Sequence, residues 1–202
     1  MKGRPAKKYV CCLAVAAVLL TGGCAAPQIE EEVPETDAEG NLAVGTVLTV
    51  AKPDDMLKLL ESNTALAAQG MYYATWVAGD SEPYENSDGE TVDLYDAQLY
   101  LLLEDADDTA KAGEDMEDWL EQARDNYEVS QEEQISCNGQ DYTMITYTCK
   151  DPDSPYDRGV SAFAAVGDCA VCIELTCVED YEDDLRDLLT GFLECCTYST
   201  DN

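Results

Sequence analysis

The chain is 202 residues long and strongly acidic, with 43 Asp and Glu residues against 11 Lys and Arg and a formal net charge of −32. A nucleic-acid-binding protein needs a basic surface, so this balance excludes nucleic acid as a partner. The sequence contains no histidine. That absence excludes Ser-His-Asp and Cys-His nucleophiles and zinc sites that use histidine. A glycosidase-like pair of carboxylates is left as an alternative, but no pair stands out in the sequence. Without a recognisable catalytic set, we expect neither an enzyme nor a cofactor.

The N-terminus has the layout of a secretory leader. Four basic residues occur within the first eight positions, and the apolar run 9–20 follows them. This run is shorter than the ~20 residues that a stable membrane-spanning helix needs. The sequence LTGGC at 20–24 then predicts a lipoprotein processing site, with cleavage between Gly23 and Cys24 and a diacylglyceryl group on the Cys24 thiol. The alternatives are a secreted protein without lipid and an uncleaved anchor.

The sequence predicts three regions. Residues 1–23 are the signal peptide, and residues 24–43 are acidic and contain two prolines, as expected of a flexible tether. Residues 44–199 have the length and apolar content of one globular domain. The lipid bilayer, contacted through the Cys24 lipid, is the predicted partner, and the predicted location is the extracytoplasmic face of the cell membrane.

The first half of the domain alternates predicted strands with helices and loops. A β-branched segment at 45–51 predicts a strand, and Pro53 opens a predicted helix that ends at Gly70. The segment MYYATWVA at 71–78 and the segment 91–103 predict two further strands, separated by a polar loop at 79–90. An acidic loop is expected at 104–113, and apolar residues at three- and four-residue steps predict a helix over 114–127.

The second half of the domain contains two predicted hairpins. Asn138-Gly139 is the strongest two-residue turn signal, and it joins 135–137 to 140–149, a register that places Cys149 opposite Glu128. Strands 159–166 and 169–178 pair across Gly167-Asp168. In that register Val171 faces Ala164, Ile173 faces Ala162, Leu175 faces Val160, and Phe163 pairs with Cys172 on the other face. Both faces are partly apolar, so we expect both to be covered.

A final helix is predicted over 180–198, with one continuous apolar stripe and an acidic opposite face. The stripe consists of Tyr181, Leu185, Leu188, Leu189, Phe192, Leu193 and Cys196. Docked on the strands, this helix completes an α+β domain in which an antiparallel sheet is covered by helices.

Three stretches share their order of apolar positions and turns with a known family: DWLEQARDNYEV at 118–129, ISCNGQDYTMITYTC at 135–149 and VGDCAVCIELTC at 166–177. They resemble the PsbP-like domains found in many bacterial lipoproteins. The resemblance implies an α/β/α sandwich and a non-enzymatic binding or assembly module. It brings no catalytic residue to this chain.

Seven cysteines follow Cys24, an odd number that cannot all pair within the chain. Cys169 and Cys172 have the spacing of a redox or metal motif. However, strand alternation places them on opposite faces, and no helix begins there to activate a thiol. Several cysteines are therefore interpreted as small buried apolar residues. The alternative function is a thiol-dependent redox or metal-binding lipoprotein, with Cys169, Cys172 and Cys177 as ligands.

Two acidic segments contain candidate calcium ligands. The segment 86–90 lacks acidic residues at the first and twelfth EF-hand positions, which fall on Tyr84 and Tyr95, so a turn is predicted there. Asp151, Asp153 and Asp157 lie in a proline-containing loop with the chemistry of a loose calcium site or of a solvated loop. The leading hypothesis is a membrane-anchored binding or assembly module with an unidentified protein or small-molecule partner.

Overall fold

The computed structural model of the protein describes residues 36–53, 57–62, 70–86, 89–152 and 154–199. The predicted leader, Gly23, Cys24 and most of the predicted tether lie outside the described residues. Within the described part, ten strands and two helices follow one another. They are β1 (Leu42–Val44), β2 (Leu48–Val50), β3 (Lys58–Ser62), β4 (Met71–Glu85), β5 (Thr91–Asp105), α1 (Thr109–Asn126), β6 (Tyr127–Cys137), β7 (Gln140–Cys149), β8 (Arg158–Val166), β9 (Cys169–Cys177), α2 (Leu185–Cys195) and β10 (Cys196–Tyr198).

The strands form two antiparallel sheets. The large sheet has the order β3-β4-β5-β9-β8-β7-β6, and the small sheet has the order β1-β2-β10. Helix α1 packs on one face of the large sheet, where Leu120 and Ala123 belong to the same buried cluster as Phe163 and Cys172. Helix α2 and the small sheet cover the other face. The predicted antiparallel sheet covered by helices is therefore present, and strands dominate it.

Strand β9 is the centre of the core, because all nine of its residues are buried. It pairs with β5 on one side and with β8 on the other. The predicted β8–β9 register is confirmed at all four positions: Ala164↔Val171, Ala162↔Ile173, Val160↔Leu175 and Phe163↔Cys172. Alternating side chains of a strand enter opposite faces, so β9 contributes to both apolar layers.

The Asn-Gly hairpin is also confirmed, with Cys137 opposite Gln140 and Asn138 at a φ of 49°. Strand β6 reaches back to the end of α1, further than predicted. A bulge between Val129 and Gln131 shifts the register by one residue, so that Cys149 pairs with Tyr127 instead of the predicted Glu128. One extra residue in one strand produces this shift, and no local sequence signal marks it.

The helix predicted from Pro53 to Gly70 is wrong in its described part. Residues Lys58–Ser62 form β3, an edge strand that pairs with β4. Leu59 packs against the core, while Leu60 is 42% exposed. The leucine spacing fits both a helix and a strand over so short a segment, and the free edge of β4 decides in favour of the strand. The segments 54–56 and 63–69 lie outside the described residues.

Three predicted loop boundaries also change. Strand β1 begins at Leu42, inside the segment assigned to the tether, and Leu42 is buried. Strand β4 continues to Glu85 through the predicted loop at 79–90. Strand β5 continues to Asp105, and α1 begins at Thr109 because the Asp108 carboxylate accepts a hydrogen bond from the Lys111 amide at 2.9 Å.

Helix α2 is shorter than the predicted 180–198 helix. It begins after Asp184, whose carboxylate accepts hydrogen bonds from the amides of Arg186 and Asp187. It ends at Cys195, because Cys196–Tyr198 pair with β2. The predicted apolar stripe is nevertheless confirmed, with Leu189, Phe192, Leu193 and Cys196 fully buried and Tyr181, Leu185 and Leu188 packed at the margin. No helix in the described ranges is long and apolar enough to cross a membrane.

Candidate functional site

A row of polar side chains crosses the α1 face of the large sheet. Strand register places Thr75, Tyr100, Glu174 and Ser161 side by side on β4, β5, β9 and β8. All four are buried, with exposed fractions between 0% and 7%. Helix α1 supplies apolar side chains to the neighbouring part of this face. The row is thus a polar line within an apolar layer.

Glu174 is the centre of this row. The Tyr147 hydroxyl donates a hydrogen bond to Glu174 Oε1 at 2.5 Å, and the Ser161 hydroxyl donates to the same oxygen at 3.2 Å. The ring of Tyr147 stacks on that of Tyr127, with centroids 3.9 Å apart and planes within 5°. We call Glu174, Ser161, Tyr147 and Tyr127 the carboxyl–phenol cluster.

Burial determines the protonation of this cluster. Loss of solvent raises the pKa of Glu174, and the hydrogen bonds from Tyr147, Tyr127 and Ser161 lower it by less. Burial and the nearby Glu174 carboxyl both raise the pKa of Tyr147 well above its usual value. Both shifts favour the protonated form of these two groups.

Gly159 makes the space for the Tyr147 hydroxyl. A Cβ atom at Gly159 would overlap Tyr147 Oη and would lie 2.9 Å from the backbone oxygen of Leu175. The absence of a side chain at this position of β8 is therefore what allows the phenol to reach Glu174. The sequence-based predictions do not include Glu174. Its signal is an acidic residue in the middle of the otherwise apolar strand CAVCIELTC.

We expect Glu174→Gln to change how the stability of the domain depends on pH. The folded-state pKa of Glu174 is raised, so its contribution to stability is complete below the unfolded pKa near 4.5 and is lost as the pH rises toward the folded pKa. Glutamine keeps the shape and does not titrate. The difference in melting temperature, variant minus wild type, should therefore increase from pH 4.5 upward. A difference that is constant from about pH 4 to about pH 8 would contradict the raised pKa of Glu174.

A second feature is a projecting two-stranded ribbon, which we call the β-arm and define as residues 79–96. Strand β9 pairs with β5 only from Ala97 onward, and β3 pairs with β4 only up to Val77. In the described ranges 79–86 and 89–95, the two strands of the ribbon therefore pair only with each other. At a rise of about 3.3 Å per residue, the segment 79–86 is about 23 Å long.

Asp96 joins the β-arm to the body of the domain. Its carboxylate accepts a hydrogen bond from the Asp80 amide at 2.8 Å, and its backbone oxygen accepts one from the Val178 amide at 2.9 Å. Gly79 has a φ of 78° beside it, and a Cβ there would overlap the Asp96 carboxylate. The register shift between Ala78 and Ser81 occurs at the same place. Glycine and the bulge thus set the direction of the arm.

The surface of the β-arm is acidic with a partly apolar face. It contains no Lys or Arg, and cross-strand pairing places Tyr84 beside Val92 and Glu82 beside Leu94. Tyr84, Val92 and Leu94 are half-buried. At its base lies a cleft of about 390 Å³ lined by Leu94, Tyr95, Val178 and the carboxylates of Glu82, Asp96, Asp157, Glu179 and Asp180.

The two segments that contain candidate calcium ligands have different outcomes. Asn86 closes the tip of the β-arm as a turn, since its amide donates to the Glu90 carbonyl and its side chain accepts from the Glu90 amide, both at 2.9 Å. Asp153 lies outside the described residues, while Asp157 lines the acidic cleft. Among the residues that the structure describes, no group of three Cys, Asp or Glu side chains is arranged to hold a metal ion.

The structure does not bring the alternative metal ligands together. Cys169 and Cys177 belong to the core layer on the α2 side, and Cys172 belongs to the layer on the α1 side. Burial and the nearby carboxylates of Asp105 and Asp168 raise the pKa of Cys169 to about 12. Burial also raises the pKa of Cys177, although Arg158 Nε donates a hydrogen bond to its sulfur at 3.3 Å. These thiols are components of the core.

Comparison with protein-family models and with curated proteins finds no match. Among solved structures, the chain is similar to the solution structure of the cyanobacterial PsbP protein CyanoP from Synechocystis sp. PCC 6803. The identity is 12%, and the match covers 72% of this chain and 94% of that one, with a TM-score of 0.39. This is a protein of the kind that the three sequence stretches resemble. At that TM-score no function is transferred from it.

Proposed function

We propose that the chain is a membrane-anchored extracytoplasmic lipoprotein with a PsbP-like domain that acts as a non-enzymatic binding or assembly module. The observation that carries the proposed binding role is the β-arm, which projects beyond the sheet with unpaired strand edges in its described part. An isolated two-stranded ribbon is marginally stable alone, and exposed strand edges are common sites of protein association. The partner is a protein or a small molecule.

The anchoring part of the proposal rests on the leader and on Cys24. A diacylglyceryl group supplies two acyl chains, and two chains hold a protein on a membrane where one does not. The acidic body adds no attraction to an anionic lipid surface, so the lipid has to supply the affinity.

Cys24→Ser is the test of the anchor. We expect the wild-type chain, expressed in bacteria, to incorporate labelled palmitate and to sediment with membranes. The variant should lose the label and leave the membrane fraction. Cys137→Ser, which changes a thiol inside the domain, is the matched control and should keep both properties. Sedimentation of Cys24→Ser with membranes in the native topology would contradict lipid anchoring.

A photo-activated cross-linker at Tyr84 tests the binding role of the β-arm. In cells of the native host we expect a discrete cross-linked product from position 84, and none from Glu117, an exposed residue on α1. The same product should form from Val92, which pairs with Tyr84. Equal products from positions 84 and 117, or none from either arm position, would remove the arm as the binding surface without affecting the anchor.

A further inference from the structure

Three cysteines from two distant parts of the sequence, Cys137 and the adjacent pair Cys195 and Cys196, belong to one core layer at the end of α2. The side-chain amide of Asn138 donates hydrogen bonds to the backbone oxygens of Glu194, at 2.7 Å, and Cys196, at 3.2 Å. Close by, the Tyr142 and Tyr198 hydroxyls lie 3.0 Å apart. These contacts hold the β6–β7 turn against the α2 end. Cys137 directly precedes Asn138, so it is held against the segment that contains Cys195 and Cys196.

The three thiols form one cluster. Cys137 and Cys196 are buried members of the same core layer, and Cys195 packs against it. Burial raises the pKa of both Cys137 and Cys196; the Glu194 carboxylate adds to the shift at Cys137, and Cys195 adds to the shift at both thiols. The two backbone oxygens that accept from the Asn138 side chain belong to the residues on either side of Cys195, so the residue after Cys137 is fixed against the segment that carries Cys195.

The three thiols differ in access. Cys195 is half-buried and lines an open groove of about 450 Å³ on the outer side of α2. Cys137 is 9% exposed, and Cys196 is 1% exposed with its sulfur 3.6 Å from the Phe192 backbone oxygen. A dissolved reagent therefore reaches Cys195 first. The groove has acidic side chains on its rim, namely Asp183, Asp184, Asp187 and Glu194.

We propose that Cys195 and Cys137 are a reactive thiol and its resolving thiol, which form a disulfide by exchange with a cationic low-molecular-weight disulfide. The Cys195 thiolate attacks one sulfur of that disulfide, forms a mixed disulfide and expels the first thiolate. The Cys137 thiolate then attacks Cys195 Sγ and expels the second. The two protons lost by the protein thiols end on the two released thiols, so one disulfide is reduced for each one formed.

The geometry favours Cys137 over Cys196 as the resolving thiol. Cys196 is the chain neighbour of Cys195, and a bond between adjacent residues would distort the end of α2. Cys137 approaches from a separate strand and needs no such distortion. A positively charged reagent is favoured because the groove rim is acidic, and this preference should weaken as salt screens it.

The experiment uses the full-length chain, purified under reducing conditions and then exposed to cystamine, a dicationic disulfide, or to glutathione disulfide, an anionic one. After acid quenching and alkylation, non-reducing digestion and mass spectrometry should show a peptide pair joined through Cys137 and Cys195. We expect cystamine to form it at least several-fold faster than glutathione disulfide at low salt, with a smaller ratio at high salt.

Variants separate the two roles. Cys137→Ser should accumulate cysteamine on Cys195, whereas Cys195→Ser should give neither the adduct nor the cross-link. Cys149→Ser, also a half-buried thiol but outside the cluster, is the matched control and should form the cross-link normally. A stable adduct on wild-type Cys195, or a link to Cys196 instead, would overturn the proposal. The wild-type peptide map alone decides this even where a variant fails to fold.

Discussion

Leu189→Asp should leave the domain unfolded at 25 °C. Leu189 is fully buried between α2 and the large sheet, in the same layer as Trp76, Phe192 and Ile173. The substitution removes about 1.5–3 kcal/mol of apolar burial and places a carboxylate among apolar side chains, a further cost of several kcal/mol. Together these costs are comparable to the entire free energy of unfolding of a typical domain, about 5–15 kcal/mol. Circular dichroism and a thermal melt would measure it.

Gly191→Asp is the matched control for this prediction. It adds the same charge to the same helix, but a side chain at Gly191 meets only open space. We expect its melting temperature to stay within a few degrees of that of the wild type. A cooperative melt of Leu189→Asp at the wild-type temperature would show that α2 does not hold the core together.

Gly159→Ala should destabilise the domain by about 3 kcal/mol, because overpacking costs about 1–3 kcal/mol and a buried carboxyl that loses its hydrogen-bond donor costs about 1–3 kcal/mol more. The new Cβ would overlap Tyr147 Oη and would lie 2.9 Å from the Leu175 backbone oxygen. Relief of that overlap moves either the β8–β9 pairing or the Tyr147 ring. Denaturant unfolding would give the change in the free energy of unfolding.

Gly113→Ala makes the same chemical change at a site where nothing opposes it. Gly113 lies inside α1, and its Cβ would have no neighbour within 4 Å. Alanine stabilises a helix interior over glycine by about 0.5–1 kcal/mol. The two glycine variants should therefore change the free energy of unfolding in opposite directions. A neutral Gly159→Ala would indicate that the Tyr147 ring can move without cost.

The predictable part of the fold lies where two independent sequence signals coincide. The β8–β9 hairpin has a two-residue turn at Gly167-Asp168 and alternating side chains on both sides of it, so its register is fixed locally. The α2 stripe is similarly determined by its spacing and by the acidic opposite face. In each case the local sequence determines both the type of secondary structure and which of its faces is buried.

The errors arise where a distant strand decides the local structure. Lys58–Ser62 has leucines at helical spacing, and it is a strand because β4 offers a free edge there. The polar segment 79–85 has no apolar alternation, and it extends β4 because 91–96 runs beside it. Tertiary pairing overrides local preference in such segments.

The two clusters, around Glu174 and around Cys195, show the same contrast between local sequence signals and contacts that depend on distant segments. Glu174 gives a visible signal, an isolated acid in a buried strand, yet its partners Ser161 and Tyr147 depend on the pairing of three strands. The cluster of Cys137, Cys195 and Cys196 gives no signal at all in sequence, because a turn and a helix end meet through the Asn138 side chain. The spacing along the chain draws attention to Cys169 and Cys172 instead. The sheet places these two cysteines on opposite faces.

The small sheet determines how early the chain can fold. Its middle strand β2, near the start of the domain, takes one partner from β1 and the other from β10, the last strand. The second partner of β5 is likewise β9, which is made much later. Contacts between such distant segments form late, because a long loop has to close first. If the leader directs export, the chain has to stay unfolded until almost all of it has crossed, which is the state that a translocation channel requires.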